Sequence, residues 1–579
     1  MDFLGVSTSL TGRTWVGPSD SLLRAAEAMA QNTHLPHALC ATLARLGVPD
    51  DQAKAYLTPQ LRHLMPDPRS LRDMQKASAR LITAINSKEK IAIFADYDVD
   101  GASSAALLCD WLRHFGCTPT LYVPDRIDEG YGPNVAAMQN LAAGHSLIIC
   151  VDCGTLSHDP IEAAKPSDVI VLDHHLGAET LPDCHAVVNP NRQDETADLG
   201  YLCAAAVVFL CLVECRRQLR ESGKDSPDLM SSLDLVALAT VADVAPLVGV
   251  NRAFVHQGLK VIAQRARPGM VALADCAGVD SAPSSYHLGY VLGPRINAGG
   301  RIGQADLGVR LLTAAQLSEA QPLAERLDHL NVERRAIENQ VQSAALEQAA
   351  ERGFDAPLVW AAGEGWHPGV VGIVAARLKE TSNRPAIVIG FDGNDGKGSG
   401  RSVSGIDLGV QIQKLAAEGL LQKGGGHKMA AGLSLTRDQL EPAMARLADL
   451  LKAQGSEALG PADLQLDAML MPTAASIELI EQLDRAGPYG AGAPGPRFAF
   501  ADMAIKFAQR VGESHLKLRF GSETGPQIDA ICFGAFDGPI GPALQNHGGQ
   551  RFHLAGRLEI NTWRGRQSVQ LRLEDAAPA

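Results

Sequence analysis

The 579-residue sequence has no apolar run of the roughly 20 residues that a helix needs to span a bilayer. Its first residues, MDFLGVSTSLTGRTW, lack the basic start and apolar centre of a secretory signal, so we expect a cytoplasmic location and no membrane association. Basic residues are not in excess either, because 52 Lys and Arg against 65 Asp and Glu give a net charge of −13. This balance argues against nonspecific nucleic-acid binding over the whole surface, although it is compatible with a local basic groove.

The sequence also lacks a complete zinc-binding cysteine pattern. Cys150 and Cys153 form one CxxC pair, but no second pair of matching spacing follows among the eleven cysteines. Cys109, Cys203 and Cys211 stand in apolar surroundings and are expected to be small core residues. An odd number of cysteines in a reducing compartment requires no disulfide.

The chain is predicted to be an α/β protein of several domains, since 579 residues exceed what one hydrophobic core supports. Residues 1–70 have a mainly helical pattern. Across residues 71–315, strand-like runs alternate with helical segments, which predicts βαβ units and a mostly parallel sheet. Residues 316–353 are predicted to form one connecting helix about 50 Å long. A second α/β block is predicted over residues 354–457, and short strands with turn signals predict a small β-barrel or sandwich over residues 460–579.

Carboxylates collect where the predicted strands end. Asp96, Asp98 and Asp100 follow the apolar run IAIF at alternate positions, and Asp152 follows a later run. The residues after Gly101 are predicted to begin a helix capped by small hydroxyl side chains. Because sites gather at the carboxyl ends of parallel strands, we expect these acids to converge. Unpaired carboxylates would repel one another and resist desolvation, so a cation is expected among them.

The triplet Asp173-His174-His175 and the later Asp243 complete this set of acids. Clustered carboxylates with one or two imidazoles are typical of a pair of divalent cations, and the oxygen-rich set with histidine favours Mn²⁺. Asp152 is a candidate bridge between two ions about 3.5–4 Å apart, the spacing used for attack on phosphate esters. Each acid taken alone would more often be a helix cap or a surface residue, but their coincidence with the DHH triplet favours a metal site.

The motifs ADYDVDG, VDCGT, LDHH and VADVAPL resemble the four motifs of the DHH phosphoesterase superfamily. Further along, GPRINAGGR, GWHPGVVGIVAARL, GSGRS and GGGHKMAAG are similar to segments of the RecJ family of bacterial single-stranded-DNA-specific exonucleases. This resemblance covers roughly residues 70–575. It implies a parallel-sheet DHH domain and a DHH-associated α/β domain joined by a long helix, with an OB-like β-barrel at the C-terminus. The implied activity is 5′-to-3′ degradation of single-stranded DNA to mononucleotides in recombination and repair, with two divalent cations, Mn²⁺ or Mg²⁺.

The resemblance also implies roles for individual side chains around the metals. The implied metal ligands are Asp98, Asp100, Asp152, His174 and Asp243. Asp96 would contact a metal directly or through another ligand of the cluster, and His175 would contact the scissile phosphate.

Residues expected to bind the substrate lie mostly outside the metal motifs. Without the resemblance, several of them would be taken as solvated surface residues. The glycines of PRINAGGR and those of GGGH are expected to let the backbone approach a phosphate. Basic strands with a few aromatic residues in the last domain suit stacking of single-stranded bases, the alternative being an ordinary charged barrel exterior. The candidates are Arg126, Tyr131, Arg295, Arg301, Ser399, Arg401, His427 and Trp563.

Two other functions remain open from the sequence. One is a phosphodiesterase for oligonucleotides or cyclic dinucleotides, although such proteins are generally shorter and lack the C-terminal barrel. The other is a noncatalytic scaffold of the replication machinery, although such proteins lose metal ligands that are all present here. Single-stranded DNA is the expected partner, a single-strand-binding protein and a helicase are candidate protein partners, and a monomer is expected.

Overall fold

The computed structural model describes residues 2–126, 128–456, 459–522 and 525–579. Its N-terminal region is mainly helical. Ser19 caps the first helix by accepting a hydrogen bond from the backbone N–H of Leu22. The elements are β1 (Trp15–Val16), α1 (Asp20–Thr33), α2 (His37–Arg45), α3 (Ala53–Tyr56) and α4 (Leu61–Leu64).

A five-stranded parallel sheet forms the centre of the next region, in the order β3-β2-β4-β5-β6. The predicted runs of apolar and β-branched residues form these strands, and β2 and β4 are buried along their whole length. Their carboxyl ends therefore share one edge of the sheet. The strands are β2 (Ile91–Ala95), β3 (Thr120–Tyr122), β4 (Leu147–Val151), β5 (Asp168–Leu172) and β6 (Ala186–Val188).

Helices cover both faces of this sheet. Because side chains alternate along a strand, Ile91 and Ile93 belong to the larger core, whereas Ala92 and Phe94 belong to a smaller core on the opposite face. A π-helical segment, His287–Leu292, continues directly into α13. The helices are α5 (Met74–Asn86), α6 (Val99–His114), α7 (Val135–Ala142), α8 (His158–Glu162), α9 (Ala204–Glu221), α10 (Leu233–Ala242), α11 (Gly249–Ala263), α12 (Pro268–Cys276), α13 (Gly293–Ile302) and α14 (Leu307–Thr313).

The connecting helix is α15 (Leu317–Arg352), 36 residues long, and it ends where Gly353 adopts a φ of +91°. Its N-terminal half buries Leu327 and Leu330 in the core of the first α/β region. Its C-terminal half buries Val341 and Ala345 in a core of the second region. The helix is therefore packed against both regions along its length.

The second α/β region has a mixed sheet in the order β10-β11-β9-β8-β7, in which β7 and β8 are parallel and the other pairs are antiparallel. The glycine-rich GKGSGR and KGGGH segments are strands, not turns. A Cβ atom on Gly400 would lie 2.6 Å from Ile387 Cδ1, so a side chain there has no room. The predicted end of this region, residue 457, lies outside the described residues. The elements are β7 (Val359–Glu364), α16 (Pro368–Ser382), β8 (Ala386–Asp392), β9 (Asp395–Arg401), α17 (Leu408–Ala417), β10 (Lys423–His427), β11 (Ala430–Thr436) and α18 (Arg437–Lys452).

The C-terminal region is a closed barrel. Strands β14-β15-β16-β18-β17 follow one another, and the pairing of β14 with β17 closes the circle. Irregular pairing within β14 and β17 bends these long strands around the barrel. The elements are β12 (Leu464–Gln465), β13 (Ala468–Met469), α19 (Ile477–Arg485), β14 (Phe498–Val511), β15 (His515–Gly521), β16 (Gln527–Cys532), α20 (Ile540–Gln545), β17 (Arg551–Trp563) and β18 (Arg566–Pro578).

The N-terminal helices pack on this barrel, a contact that the sequence does not predict. Leu43 of α2 shares one core with Phe500 and Phe520 of the barrel. Trp15 Nε1 donates a hydrogen bond to Asp575 Oδ2 at 2.9 Å, and β1 pairs with β12. The two ends of the chain therefore fold together. None of the helices in the described residues has the length and apolarity that crossing a bilayer requires.

Candidate active site

Three carboxylates lie in the turn between β2 and α6. Helix α6 begins at Val99, two residues before Gly101, so the predicted hydroxyl cap is wrong. The cap is Asp98, whose Oδ1 accepts hydrogen bonds from the backbone N–H groups of Asp100 (2.8 Å) and Gly101 (3.1 Å). A Cβ on Gly101 would lie 2.3 Å from the carbonyl oxygen of Asp96, so glycine is required for this tight turn.

Asp100 is held by the start of a second helix. Its Oδ2 accepts a hydrogen bond from the backbone N–H of Ala204 at 2.6 Å, and its Oδ1 accepts one from Ala205 at 2.7 Å. These are the first residues of α9, where N–H groups have no partner within the helix. The buried carboxylate is therefore fixed in orientation before any metal binds.

Asp152, His174 and Asp243 approach Asp100 from three other elements. Asp152 follows β4 and has a φ of +60°, and Asp243 follows the last residue of α10. Nε2 of His174 lies 3.2 Å from Asp152 Oδ1, 3.7 Å from Asp100 Oδ2 and 3.7 Å from Asp243 Oδ2. The structure thus brings together the acids and the histidine that the sequence places far apart.

The potential metal ligands form overlapping groups whose donor atoms lie within 4.8 Å of one another. Asp152 belongs to two of these groups, which is the arrangement expected of a bridging carboxylate. Asp96 is part of one group, so it is placed to act as a direct ligand. The groups are Asp96–Asp98–Asp152, Asp100–His174–Asp243 and Asp152–His174–His175.

The electrostatics of these acids fit a pair of divalent cations. Oδ1 of Asp96 and Oδ1 of Asp152 are buried and accept no hydrogen bond from the described residues. Burial, together with repulsion from neighbouring carboxylates, raises the pKa of Asp96 and of Asp152 well above the usual value, and that of Asp243 to about 9. Two oxygen-preferring cations would satisfy these atoms and neutralise the repulsion.

Asp173 positions both histidines, a role that the sequence interpretation did not assign. Its Oδ1 accepts a hydrogen bond from the backbone N–H of His174 at 2.7 Å and lies 2.8 Å from His175 Nδ1. Its Oδ2 accepts hydrogen bonds from the N–H and hydroxyl of Thr155. Burial acts to raise the pKa of Asp173, but the hydrogen bond and charge of His175 hold it well below the usual value. The only sequence signal is that this acid precedes both histidines.

Tyr131 lies at the same centre. Its hydroxyl donates to the carbonyl oxygen of Asp152 at 2.8 Å and lies 3.0 Å from His175 Nδ1. The phenol therefore links the strained backbone of Asp152 to His175. Burial and the nearby charges of Asp173 and Asp152 raise the pKa of Tyr131, so it acts as a neutral hydrogen-bond group.

Three predicted arginines, Arg126, Arg301 and Arg401, form a cationic group. Burial and the charge of Arg126 lower the pKa of Arg301 to about 10 and also lower the pKa of Arg401. Arg301 donates to the carbonyl of Gly369 at 2.9 Å, and Arg401 donates to that of Gly400 at 2.8 Å. None of the three forms an ion pair with a carboxylate among the residues the structure describes, so the group lacks an anion.

Ser399 and His367 lie beside this cationic group. A Cβ on Gly372 of α16 would lie 3.1 Å from the Arg401 guanidinium and 3.3 Å from Ser399 Oγ, so both side chains face this glycine. His367 caps α16 by accepting a hydrogen bond from Gly369 N–H, and burial and the charge of Arg126 lower its pKa. The sequence interpretation quoted the GWHPG motif without assigning this histidine a role.

Other predicted substrate residues have different surroundings. Arg295 is bound to Asp328 of α15 at 2.8 Å, His427 is exposed at the end of β10, and Trp563 is 70% exposed at the tip of the β17–β18 hairpin. Their roles in binding stay predictions.

The PRINAGGR segment supports the turn that carries Asp96, Asp98 and Asp100, and the approach of its glycines to a phosphate stays a prediction. Asn297 Oδ1 accepts a hydrogen bond from Val99 N–H at 3.1 Å. A Cβ on Gly300 would lie 2.9 Å from the carbonyl oxygen of Tyr97, so this glycine lets α13 approach the turn.

Carboxylates and adjacent histidines at the carboxyl edge of a parallel sheet, facing a cationic group, define a metal-dependent phosphoesterase of the DHH class. Three family models match the chain: the DHH family N-terminal domain over residues 90–240, the DHHA1 domain over residues 355–453 and the RecJ OB domain over residues 466–575.

The chain belongs to the RecJ family of single-stranded-DNA-specific exonucleases. It is 39% identical to RecJ of Dickeya dadantii, over 94% of this chain and 97% of that protein. It is 37% identical to RecJ of Escherichia coli, over 88% of this chain and 91% of that protein.

Solved structures of the family agree with the fold. The structure of Thermus thermophilus RecJ in complex with Mn²⁺ matches with a TM-score of 0.80 at 27% identity, over 97% of this chain and 79% of that one. Its complex with Mg²⁺ matches with a TM-score of 0.74 at 26% identity, over 98% and 78% of the two chains. The predicted α/β fold with an OB barrel is confirmed, as is the prediction of Mn²⁺ or Mg²⁺ as cofactor.

Proposed function

We propose that this chain is a metal-dependent 5′-to-3′ exonuclease that hydrolyses single-stranded DNA to mononucleotides during recombination and repair. The observation that carries this proposal is the proximity of two charge clusters that keep groups without a partner among the described residues. One is the group of carboxylates around Asp152, and the other is the cationic group around Arg401. A phosphodiester chain with two divalent cations would satisfy both. Near-full-length similarity to exonucleases named RecJ supports the substrate.

The proposed metal ligands are Asp98, Asp100, Asp152, His174 and Asp243, with Asp96 as a further ligand. When bound, divalent cations supply a nucleophile at neutral pH and stabilise charge on a phosphate. The hydrogen bonds of Asp100 to α9 and of Asp173 to both histidines hold these donors in fixed orientations. His175, fixed by Asp173 and Tyr131, would contact the scissile phosphate.

The proposed 5′-phosphate site consists of Arg126, Ser399 and Arg401. A terminal phosphate dianion carries more charge and more free oxygens than an internal phosphodiester, so it fits two guanidinium groups and a hydroxyl better. Arg126 comes from the first α/β region, whereas Ser399 and Arg401 lie on β9 of the second. A terminal phosphate held between the two regions would set the next phosphodiester over the metals, which gives the 5′-to-3′ direction.

The barrel is proposed to extend the binding surface for the strand. Several of its basic side chains are already engaged, since Arg519 is bound to Asp529 and Arg557 to Glu574. The hairpin tip differs, because Trp563 is exposed and the Arg564 guanidinium lies 5.8 Å from its ring centre. An aromatic ring flanked by basic side chains suits base stacking with phosphate neutralisation. A single-strand-binding protein, a helicase, a monomeric state and a cytoplasmic location remain predictions.

The test is digestion of 5′-labelled single- and double-stranded DNA with Mn²⁺, Mg²⁺ or EDTA. We expect immediate release of labelled mononucleotide from single strands, little reaction of duplexes and none in EDTA. A ladder of shortened labelled strands would indicate the opposite polarity, and equal rates on duplexes would contradict single-strand specificity. Hydrolysis of cyclic dinucleotides with long strands left intact would favour the phosphodiesterase alternative.

A further inference from the structure

Tyr286 and Tyr290 form an exposed aromatic pair that has no role in the site described above. Their side chains are 56% and 68% exposed, and their rings stack with centroids 5.4 Å apart and planes 25° apart. Neither hydroxyl forms a hydrogen bond with a residue in the described parts of the chain. Single exposed apolar side chains are common on proteins, but a stacked pair presents a broad flat aromatic surface to solvent.

The segment that carries the two tyrosines is pressed against the end of α10. A Cβ on Gly293 would lie 3.1 Å from Ala242 Cβ, and one on Gly289 would lie 3.3 Å from Val241 Cγ1. The glycines are therefore needed for this close helix contact. Asp243, the proposed metal ligand, is the residue that directly follows α10. The aromatic pair thus stands on a helix that is packed directly beside the metal centre.

The same helical segment also reaches the metal-binding turn at its other end. It continues into α13, where Asn297 binds the N–H of Val99 at the start of α6. Asn297 comes seven positions after Tyr290 along the chain. At a rise of 1.5 Å per residue this is about 10 Å, or roughly three nucleotide steps of 3.4 Å in a stacked strand. Tyr290 lies within the π-helical segment His287–Leu292 and Tyr286 directly precedes it, and π-helical turns are frequent at functional sites.

We propose that Tyr286 and Tyr290 form a base-stacking platform for the DNA strand, at nucleotides roughly three to five from the 5′ end. This inference rests on the proposed function and adds a substrate contact to it. Stacking on tyrosine tolerates any base, as an enzyme that degrades a whole strand requires. The faces of paired bases are covered by their neighbours in a duplex, so the platform would also favour single strands.

The test uses 5′-phosphorylated strands that carry one abasic site at a defined position, digested by the full-length protein with Mn²⁺. Loss of one base–aromatic stack weakens binding roughly 5- to 100-fold. We expect an increase in KM of this order when the abasic site lies near nucleotides three to five, with little change in kcat and little effect at more distant positions. The double variant Tyr286→Ala/Tyr290→Ala should lose this position dependence. The matched control Tyr286→Phe/Tyr290→Phe keeps both rings and should retain it.

The outcomes separate this inference from the proposed function. Failure of the wild-type protein to degrade an unmodified single strand would contradict the proposed function itself. If the wild type degrades that strand but its KM is the same for every abasic position, the platform is wrong. It is also wrong if the double alanine variant keeps the wild-type position profile. Because both rings are exposed, the double alanine variant should unfold at the wild-type temperature. The abasic-site profile of the wild-type protein tests the stacking platform without any variant.

Discussion

Replacement of Arg401 by alanine should remove most of the preference for 5′-phosphorylated strands. The Arg401 guanidinium is half-buried beside Ser399, and its hydrogen bond goes to the carbonyl of Gly400. It is therefore available to a phosphate without breaking an ion pair. A charge-assisted hydrogen bond contributes ~1.5–3 kcal/mol, which corresponds to roughly 10- to 100-fold in rate or affinity.

The assay compares kcat/KM for strands with a 5′-phosphate and with a 5′-hydroxyl, in the wild type and in Arg401→Ala. The ratio of the two values should fall by about 10- to 100-fold in the variant, while the rate on the hydroxyl strand changes little. Arg377→Ala is the matched control, because Arg377 lies on α16 of the same region but is half-exposed and paired with Glu380. That control should keep the wild-type ratio.

Stability measurements give a second readout for Arg401. Burial and the charge of Arg126 lower its pKa, so its positive charge opposes folding when no anion is bound. The alanine variant should therefore unfold at no lower temperature than the wild type, and inorganic phosphate should stabilise the wild type more than the variant. Equal slowing on both strands together with a lower unfolding temperature would refute the reasoning, since Arg401 would then support the structure.

Three further predictions concern the metals and the barrel. The Asp152→Asn variant should lose both cations and nearly all hydrolysis but should still bind single strands. If metal analysis finds two tightly bound Mn²⁺ ions in the variant, the bridging role is contradicted. In the metal-free protein, the pKa of Asp243 is raised from 3.8 to about 9, so the folded state holds an extra proton between these values. The free energy of unfolding in EDTA should therefore fall as pH rises from 6 to 8, and added Mn²⁺ should reverse the trend; an increase with pH in urea titrations would refute this. Trp563→Ala should weaken binding of long strands by roughly 5- to 100-fold if one stacked base is lost. Cleavage of very short strands should not slow. Unchanged affinity for a long strand would show that the hairpin tip is not part of the binding surface.

The central sheet and the convergence of the candidate metal ligands could be predicted because their signals are local. Each buried strand is an unbroken apolar run, and an acid follows β2, β4 and β5 directly. The convergence of Asp96, Asp152 and His174 then follows from the geometry of parallel strands. Asp243 belongs to the same recurring pattern of acids in the sequence, and the family resemblance, carried by several motifs, implies its role as a ligand.

Contacts between remote segments could not be predicted. Trp15 and Asp575 are 560 positions apart, and nothing in either segment indicates their hydrogen bond. The shared core of α2 and the barrel has a practical consequence, because deletion of the barrel would expose Leu43 and its neighbours to water. Substitution at the hairpin tip is therefore a cleaner test of the barrel than truncation.

Gly400 and Gly300 have a structural role that the sequence interpretation did not assign. Glycine is common in turns because it adopts positive φ, but it is also required where another backbone or side chain leaves no space for a Cβ. Gly400 in β9 and Gly300 in α13 are of the second kind, since a Cβ at either position would lie within 3 Å of a neighbouring atom. The sequence alone does not distinguish crowding from flexibility.

The cationic group lies next to the acidic cluster and includes side chains from both α/β regions. Among the described residues, Oδ1 of Asp96 and Oδ1 of Asp152 accept no hydrogen bond, and the arginines around Arg126 have no carboxylate ion-pair partner. The two clusters are neighbours, because the Arg126 guanidinium lies 5.1 Å from the ring centre of Tyr97, which stands between Asp96 and Asp98. Helix α15 packs against both regions, and Arg301 binds Gly369 across the contact between them. The fold therefore places acids that two cations would neutralise beside arginines that a phosphate would neutralise, which is the arrangement that a metal-dependent phosphoesterase requires.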